Sequence, residues 1–337
     1  MVSCRRTPNR TPDRDDADGH RTAQIAQRIL DDIHALYVSA SSTKAGKTNT
    51  ASPAPLVDMA KALHLTLTPP RRKLIVLFCG NHSVGKSSLI NWYLGESIQR
   101  TSVAVETQGF CILTHGRSRQ TLKGPATLEL YPQWKKMAKS VDGLLDYLST
   151  EIATSQARQF PLLTLVDTPG LVDGEMAYPF SPEAAIAGFA KEADMVCVLF
   201  DPIGQGLCRR TMDIVERIDR EDPQKMRFYL SKADTVPDET DRQKVLIQVT
   251  QNLTSRIQNR TFDLWPIYLP LPEGQTVTVR NHLHLLEQDI EQCVNRRVQH
   301  SLNNLEADGA QLARRFDKSI LFLPFSLSVE KRIQQSD

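Results

Sequence analysis

Net charge is nearly absent from this 337-residue sequence: 41 Lys and Arg stand against 39 Asp and Glu, a formal balance of +2. A balance that small supplies no broad cationic field, so nucleic acid is not an expected partner. Long apolar runs are also missing. The longest unbroken ones, Leu74 to Cys79 and Met195 to Phe200, fall far short of the roughly 18 to 20 residues that cross a bilayer. The six cysteines (Cys4, Cys79, Cys111, Cys197, Cys208, Cys293) show no C-x-x-C spacing, so neither a zinc site nor a disulfide framework is expected. The first twenty residues lack an apolar stretch and carry Asp13, Asp15, Asp16 and Asp18. That pattern speaks against a secretory signal or an acid-poor transit peptide, and the expectation is a cytoplasmic chain.

What is present suits a globular protein: 40% apolar residues and 24% charged. Residues 1–19 mix Arg, Asp, Thr and Pro without a hydrophobic period and read as a disordered tail. Over 20–38, Ile25, Ile29, Ile33 and Leu36 recur at helical spacing and predict a helix with one apolar face. Residues 39–55 have linker composition, and 56–70 read as a short helix leading to Pro69-Pro70. Beyond them, short apolar runs at Lys73–Cys79, Leu162–Val166, Met195–Phe200, Arg227–Leu230 and Ile267–Leu269 alternate with helical stretches. Such runs fit strands of a sheet covered on both faces, so an α/β domain with a mostly parallel, doubly wound sheet is predicted for 71–270. A long helix follows over 281–317, its apolar positions running from Leu283 through Val294, Leu302 and Leu312 to Phe316, with Gly309 as a break point and 318–337 as a tail. The helix over 20–38 is expected to bury its stripe against this one in a small helical bundle.

Gly80-Asn81-His82-Ser83-Val84-Gly85-Lys86-Ser87 fits G-x-x-x-x-G-K-[ST] between a predicted strand and a predicted helix that opens with Ser88. That is the context in which backbone N–H groups and a helix N-terminus wrap a phosphate. Lys86 is then placed to reach the β and γ phosphates and Ser87 to ligate Mg²⁺. Gly46-Lys47-Thr48 imitates the end of the motif but has no strand, helix or first glycine. Asp167-Thr168-Pro169-Gly170 follows another buried strand, where the carboxylate suits Mg²⁺ and the Gly170 N–H suits a γ-phosphate. After the strand at Arg227–Leu230 comes Ser231-Lys232-Ala233-Asp234, in which Asp234 can accept from guanine N–H groups while the Lys232 stem covers the ring.

Together these motifs, with Glu106-Thr107-Gln108-Gly109-Phe110, Leu171-Val172-Asp173-Gly174-Glu175 and Leu199-Phe200-Asp201, resemble the dynamin superfamily over residues 70–270, in particular the branch of EH-domain ATPases and sarcalumenin. The resemblance implies a P-loop fold with a dynamin-type G domain, Mg²⁺-dependent hydrolysis of GTP, self-association across the nucleotide face and peripheral contact with a membrane. It also implies that Thr107 closes on Mg²⁺ and the attacking water, and that Ser83 contacts the β–γ region. His82 stands where dynamins carry Gln, which makes it a candidate for positioning water.

Two departures matter. Leu171 follows Gly170 where Ras-like proteins place a water-orienting Gln, and an alkyl chain orients no water. Hydrolysis therefore needs another organiser, which self-association supplies in the family, and a non-hydrolysing nucleotide-dependent scaffold is the alternative. Ser231 stands where the base motif usually has Asn or Thr, and the related EH-domain branch uses ATP. Guanine is the favoured base and adenine the alternative. His282-x-His284 and the apolar Ile320–Phe325 segment read as a helix start and a packed or shallowly membrane-seated tail.

Overall fold

A computed structural model describes residues 14–38, 54–99, 109–158, 160–173, 178–202, 208–236, 238–257, 261–271, 277 and 279–333. In chain order its elements are α1 (Arg14–Tyr37), α2 (Leu56–Ala62), β1 (Leu74–Gly80), α3 (Lys86–Leu94), β2 (Phe110–His115), β3 (Gln120–Lys123), α4 (Pro125–Leu130), α5 (Lys135–Ser140) and β4 (Leu148–Ala153). They continue with β5 (Leu163–Asp167), α6 (Pro182–Glu192), β6 (Met195–Phe200), α7 (Arg209–Glu221), β7 (Met226–Leu230), α8 (Glu239–Arg256), β8 (Leu264–Pro266) and α9 (Leu283–Ile333). The chain divides into two compact units, Lys73–Cys293 and a helical unit of Met1–Arg72 with Val294–Asp337.

In the larger unit the strands lie in one eight-stranded sheet of order β3-β4-β2-β5-β1-β6-β7-β8. Pairing is parallel except where β2 meets β5 and β3 meets β4, so the mostly parallel α/β expectation holds. Strands β1, β5 and β6 are buried at every position, as their unbroken apolar sequences require of a sheet with two covered faces. Helix α7 turns Met212, Ile214, Val215 and Ile218 inward, and α6, opened by Pro182 behind a Ser181 cap, contributes Ala185, Ile186 and Phe189. Phe110 stacks on Phe189 with centroids 4.8 Å apart, and Trp134 meets the same ring edge-on. At roughly 1.5 to 3 kcal/mol for each large side chain removed from water, this core dominates the unit's stability.

The sheet consequence for function lies at β1. Its neighbours β5 and β6 leave in opposite directions across the sheet, which makes the carboxyl end of β1 the topological switch point where α/β sheets bind ligands.

In the helical unit, α1 buries Ala23, Ala26, Leu30, Ile33 and Tyr37, a stripe at helical spacing. The Tyr37 hydroxyl donates to Asp308 Oδ2 of α9 at 2.6 Å, so the expected pairing of the N- and C-terminal helices is present. Arg72 pairs with Asp31, and His34 meets the Pro70 carbonyl at 3.1 Å.

Several expectations need correction. The stripe itself is different: Ile25 and Leu36 are 55% and 50% exposed. Ile25 sits two residues from the buried Ala23, roughly 200° around a helix of 3.6 residues per turn, and so faces away from the buried stripe. Helix α1 begins at Arg14, inside the segment expected to be a tail. Helix α9 runs unbroken through Gly309 and on to Ile333, past the expected end at 317. The last strand is Leu264–Pro266, three residues before the expected Ile267–Leu269. Strands β2, β3 and β4 were not anticipated; β4 reads Leu-Ser-Thr-Glu-Ile-Ala and β3 is largely exposed, so neither presents an unbroken apolar run.

Candidate functional site

The loop from Gly80 to Gly85 connects β1 to α3 and is held from several sides. Gly80 has φ +149°, and a Cβ there would lie 2.3 Å from the Leu199 carbonyl oxygen, so β6 passes too close for any other residue. The buried Asn81 side chain accepts from Thr211 Oγ1 of α7 at 2.6 Å. His82 is half-buried and donates its backbone N–H to the Leu171 carbonyl at 2.9 Å, while Leu171 donates back to Gly80 at 3.2 Å. Ser83 is exposed at φ 57°, a left-handed conformation, and Val84 is buried beneath it. Gly85, at φ 96°, ends the loop and opens α3. Lys86 is only 6% exposed. Its ammonium donates to the Asn81 carbonyl at 2.9 Å and the Gly80 carbonyl at 3.2 Å. The ammonium folds back over the loop, where these two carbonyls offset part of the cost of burying its charge.

Asp167 ends β5 beside the start of α3, fully buried, and its Oδ2 accepts from Ser87 Oγ at 2.6 Å. Burial raises its pKa to about 6, opposed by the Lys86 charge and the Ser87 hydrogen bond. The same burial lowers that of Lys86, opposed by the Asp167 charge. Asp167 Oδ1 is buried with no hydrogen-bond partner among the described residues. A buried carboxylate oxygen left over beside a hydroxyl is a hard-oxygen donor pair, which fits Mg²⁺. Thr107, the further candidate for that ion, lies outside the described residues.

The segment after Asp167 is fastened to its surroundings. Thr168 Oγ1 donates to the Phe78 carbonyl at 2.9 Å. Gly170 packs so near the loop that a Cβ would sit 2.5 Å from His82 Cα, and Tyr178 donates its hydroxyl to the Gly170 carbonyl. The Leu171 side chain is 1% exposed and belongs to the core, not the site. Asp173 caps α7, accepting from the Arg209 N–H at 2.8 Å and the Arg210 N–H at 3.3 Å. Burial pushes its carboxyl up, but those amides and the Cys208 thiol outweigh it and hold the pKa below the usual value. Arg210 lies over the Tyr178 ring and pairs with Glu183 at 3.4 Å.

A cavity of about 230 Å³ opens beside this loop, lined by Gly85, Ser88 and Leu89 on one element, Ser231, Lys232 and Asp234 on another, and Ile267 to Leu271 with Leu283 on a third. The structure thus brings the Ser231-Lys232-Ala233-Asp234 turn to the phosphate-loop helix. Gly85 has its would-be Cβ 3.4 Å from Ser231 Oγ. Lys232 takes φ 54° and its ammonium reaches Asp201 Oδ2 at 3.3 Å. Asp201 as the partner of Lys232, Thr211 as the anchor of Asn81, and the wall from Tyr268 to Leu271 were missed as site residues. A signal for Asp201 existed: it stands directly after β6, much as Asp167 stands at the end of β5. The wall gave none, since it joins the motifs only through the fold.

Comparison with known proteins agrees with this geometry. Residues 76–202 match the dynamin family. EH domain-containing protein 2 of Rattus norvegicus is 26% identical over 174 residues, 49% of this chain and 31% of that protein. The Homo sapiens protein of the same name is 25% identical over 170 residues, with the same shares. The chain thus matches less than a third of the length of these curated relatives. Two solved structures of an oligomerised bacterial dynamin pair, described as a mechanism for long-range sensing and tethering of membranes, are similar with TM-scores of 0.55 and 0.51. Both are 15% identical and cover 94% of this chain, with 50% and 60% of their own chains matched. At that identity the likeness shows the fold.

Proposed function

We propose that this chain, whose residues 76–202 match the dynamin family, binds and hydrolyses GTP with Mg²⁺. The observation that carries this reading is the convergence of Lys86, Ser87 and Asp167 at the carboxyl ends of β1 and β5, next to a cavity lined by Asp234. Lys86 exchanges its carbonyl partners for β and γ phosphate oxygens, and the N–H groups of Ser83 to Ser88 cradle the phosphates at the N-terminus of α3. Ser87 and Asp167 would hold Mg²⁺, which when bound would supply positive charge against the phosphates. Thr107 joins them as the sequence resemblance implies. The Gly170 N–H meets the γ-phosphate. Ser231, Lys232 and Asp234 hold the base, with the Asp234 carboxylate accepting from two guanine N–H donors.

Leu171, buried in the core, cannot orient water, so turnover depends on another organiser. Ser83 is exposed and His82 half-buried on the loop, where a second copy docking on the nucleotide face fixes them over the γ-phosphate. Activity is then stimulated by self-association. Peripheral contact with a membrane is part of the same reading. ATP is the second reading, favoured by one residue: Ser231 lacks the two-headed amide of the usual Asn. The test is a binding titration of GTP and ATP, with and without Mg²⁺, on the native chain and on Asp234→Asn. GTP affinity should fall selectively in the variant. Equal affinities for the two nucleotides before and after the change would show that Asp234 does not read the base, whereas tighter ATP binding by the native chain would favour the second reading.

A further inference from the structure

Asn281 does not touch the cavity, yet it holds two of the residues that line it. Its Oδ1 accepts from the Tyr268 N–H at 3.2 Å and its Nδ2 donates to the Tyr268 carbonyl at 2.7 Å. The side-chain amide therefore pairs with one residue's backbone as a neighbouring strand would. Oδ1 also accepts from the Leu283 N–H at 3.1 Å, capping the start of α9. Tyr268 and Leu283 both line the cavity beside Ser231, Lys232 and Asp234. The arrangement is reinforced from either side: the Tyr268 hydroxyl donates to the Val279 carbonyl at 2.9 Å, and the His282 N–H donates to the Pro266 carbonyl at 3.1 Å.

We infer that Asn281 is a positioning residue for base selectivity: its bidentate clamp on Tyr268, joined to the cap of α9, sets the wall against which the purine ring stacks. The inference rests on the reading of this cavity as the base site. The chemistry restricts the position to an amide. An aspartate keeps the acceptor and loses the donor, and a serine caps a helix but is too short to bridge both backbone groups of Tyr268. Because the Tyr268 N–H is engaged by Asn281, reading of the base edge falls to Asp234, and Asn281 acts by holding the ring in its reach. Loss of the clamp therefore weakens whatever depends on the base and leaves phosphate binding at the Gly80–Ser88 loop alone.

The experiment measures affinity by calorimetry for Mg²⁺-GTP, Mg²⁺-ATP and inorganic tripolyphosphate on the native chain, Asn281→Ser and Asn281→Ala. Asn281→Ser keeps the helix cap, so it separates positioning from folding, and a melting curve accompanies each variant. The inference expects GTP affinity to fall about tenfold in Asn281→Ser, the order expected when a hydrogen-bonded support is lost, with the preference for GTP over ATP narrowed and tripolyphosphate affinity unchanged. An equal loss for GTP and tripolyphosphate, or no loss for either, overturns it. A native chain that binds tripolyphosphate but neither nucleotide overturns the base-site reading first, and the inference with it.

Discussion

Lys86 holds the loop and, in the proposed function, also binds phosphate, and its removal reports on both. Truncation to alanine removes the two ammonium hydrogen bonds to the Gly80 and Asn81 carbonyls, which keep the Leu171 and Val84 N–H groups as partners. Hydrogen bonds from a charged group contribute about 1.5 to 3 kcal/mol, so Lys86→Ala should melt a few degrees lower and also lose Mg²⁺-nucleotide binding. Retained affinity at native strength would contradict the phosphate role. Asp167 moves the other way. Its carboxyl titrates near 6 in the fold against 3.8 for the free group, so its contribution favours the folded chain below pH 3.8 and is lost as pH rises through about 6. Asp167→Asn should therefore stabilise the ligand-free protein at pH 7.5, by roughly 1 to 3 kcal/mol, with the advantage vanishing near pH 4. The same change should abolish the Mg²⁺ dependence of nucleotide binding. Denaturant titrations at the two pH values check the first claim; a destabilised variant at pH 7.5 would contradict it. At this scale the sequence was most legible where a motif is local. Gly80 to Ser88 and Asp167 to Gly170 are contiguous and their spacing reports their geometry, whereas Asp201, Tyr268 and Asn281 acquire partners only when separate strands end at one edge.

Among the elements, β1, β5, β6 and β7 were readable because a strand buried on both faces needs an apolar residue at nearly every position. The half of the sheet built from β2, β3 and β4 was not, since Thr150 and Glu151 interrupt the run in β4 and β3 has exposed polar positions. Helix α3 shows how an element bearing the phosphate loop is secured at its other end. Arg158, at φ 48°, donates to the Trp92 and Tyr93 carbonyls at 2.8 and 2.6 Å. Its guanidinium lies 4.0 Å from the Trp92 ring centroid and pairs with Glu287 in the first turns of α9. A left-handed arginine is tolerated because these contacts outweigh its strain. Arg158→Ala should destabilise the protein by about 1 to 3 kcal/mol, the range for exposing helix-end carbonyls and losing a stacked cation. Chemical denaturation measures it, and a change indistinguishable from zero would show that α3 needs no such cap.

For the whole molecule, none of the described helices is long and apolar enough to cross a membrane. The helical unit depends on α1, whose Leu30, Ile33 and Tyr37 are at most 3% exposed. Removing residues 1–50 should uncover that surface on α9 and increase binding of an apolar dye, whereas unchanged dye binding and melting would refute the pairing. The boundary of the larger unit at Cys293 has no mark in the composition, because α9 passes through Cys293 and Val294 as one continuous helix. The most direct test of the account is GTP hydrolysis per molecule across a wide dilution series of the native chain, with Mg²⁺ and with a chelator, using Lys86→Ala as the inactive control and sedimentation to follow mass. The account predicts Mg²⁺-dependent turnover whose specific activity climbs as copies associate, since Leu171 leaves the attacking water unpositioned in the lone chain. GTP bound tightly with Mg²⁺ and never turned over at any concentration would contradict it.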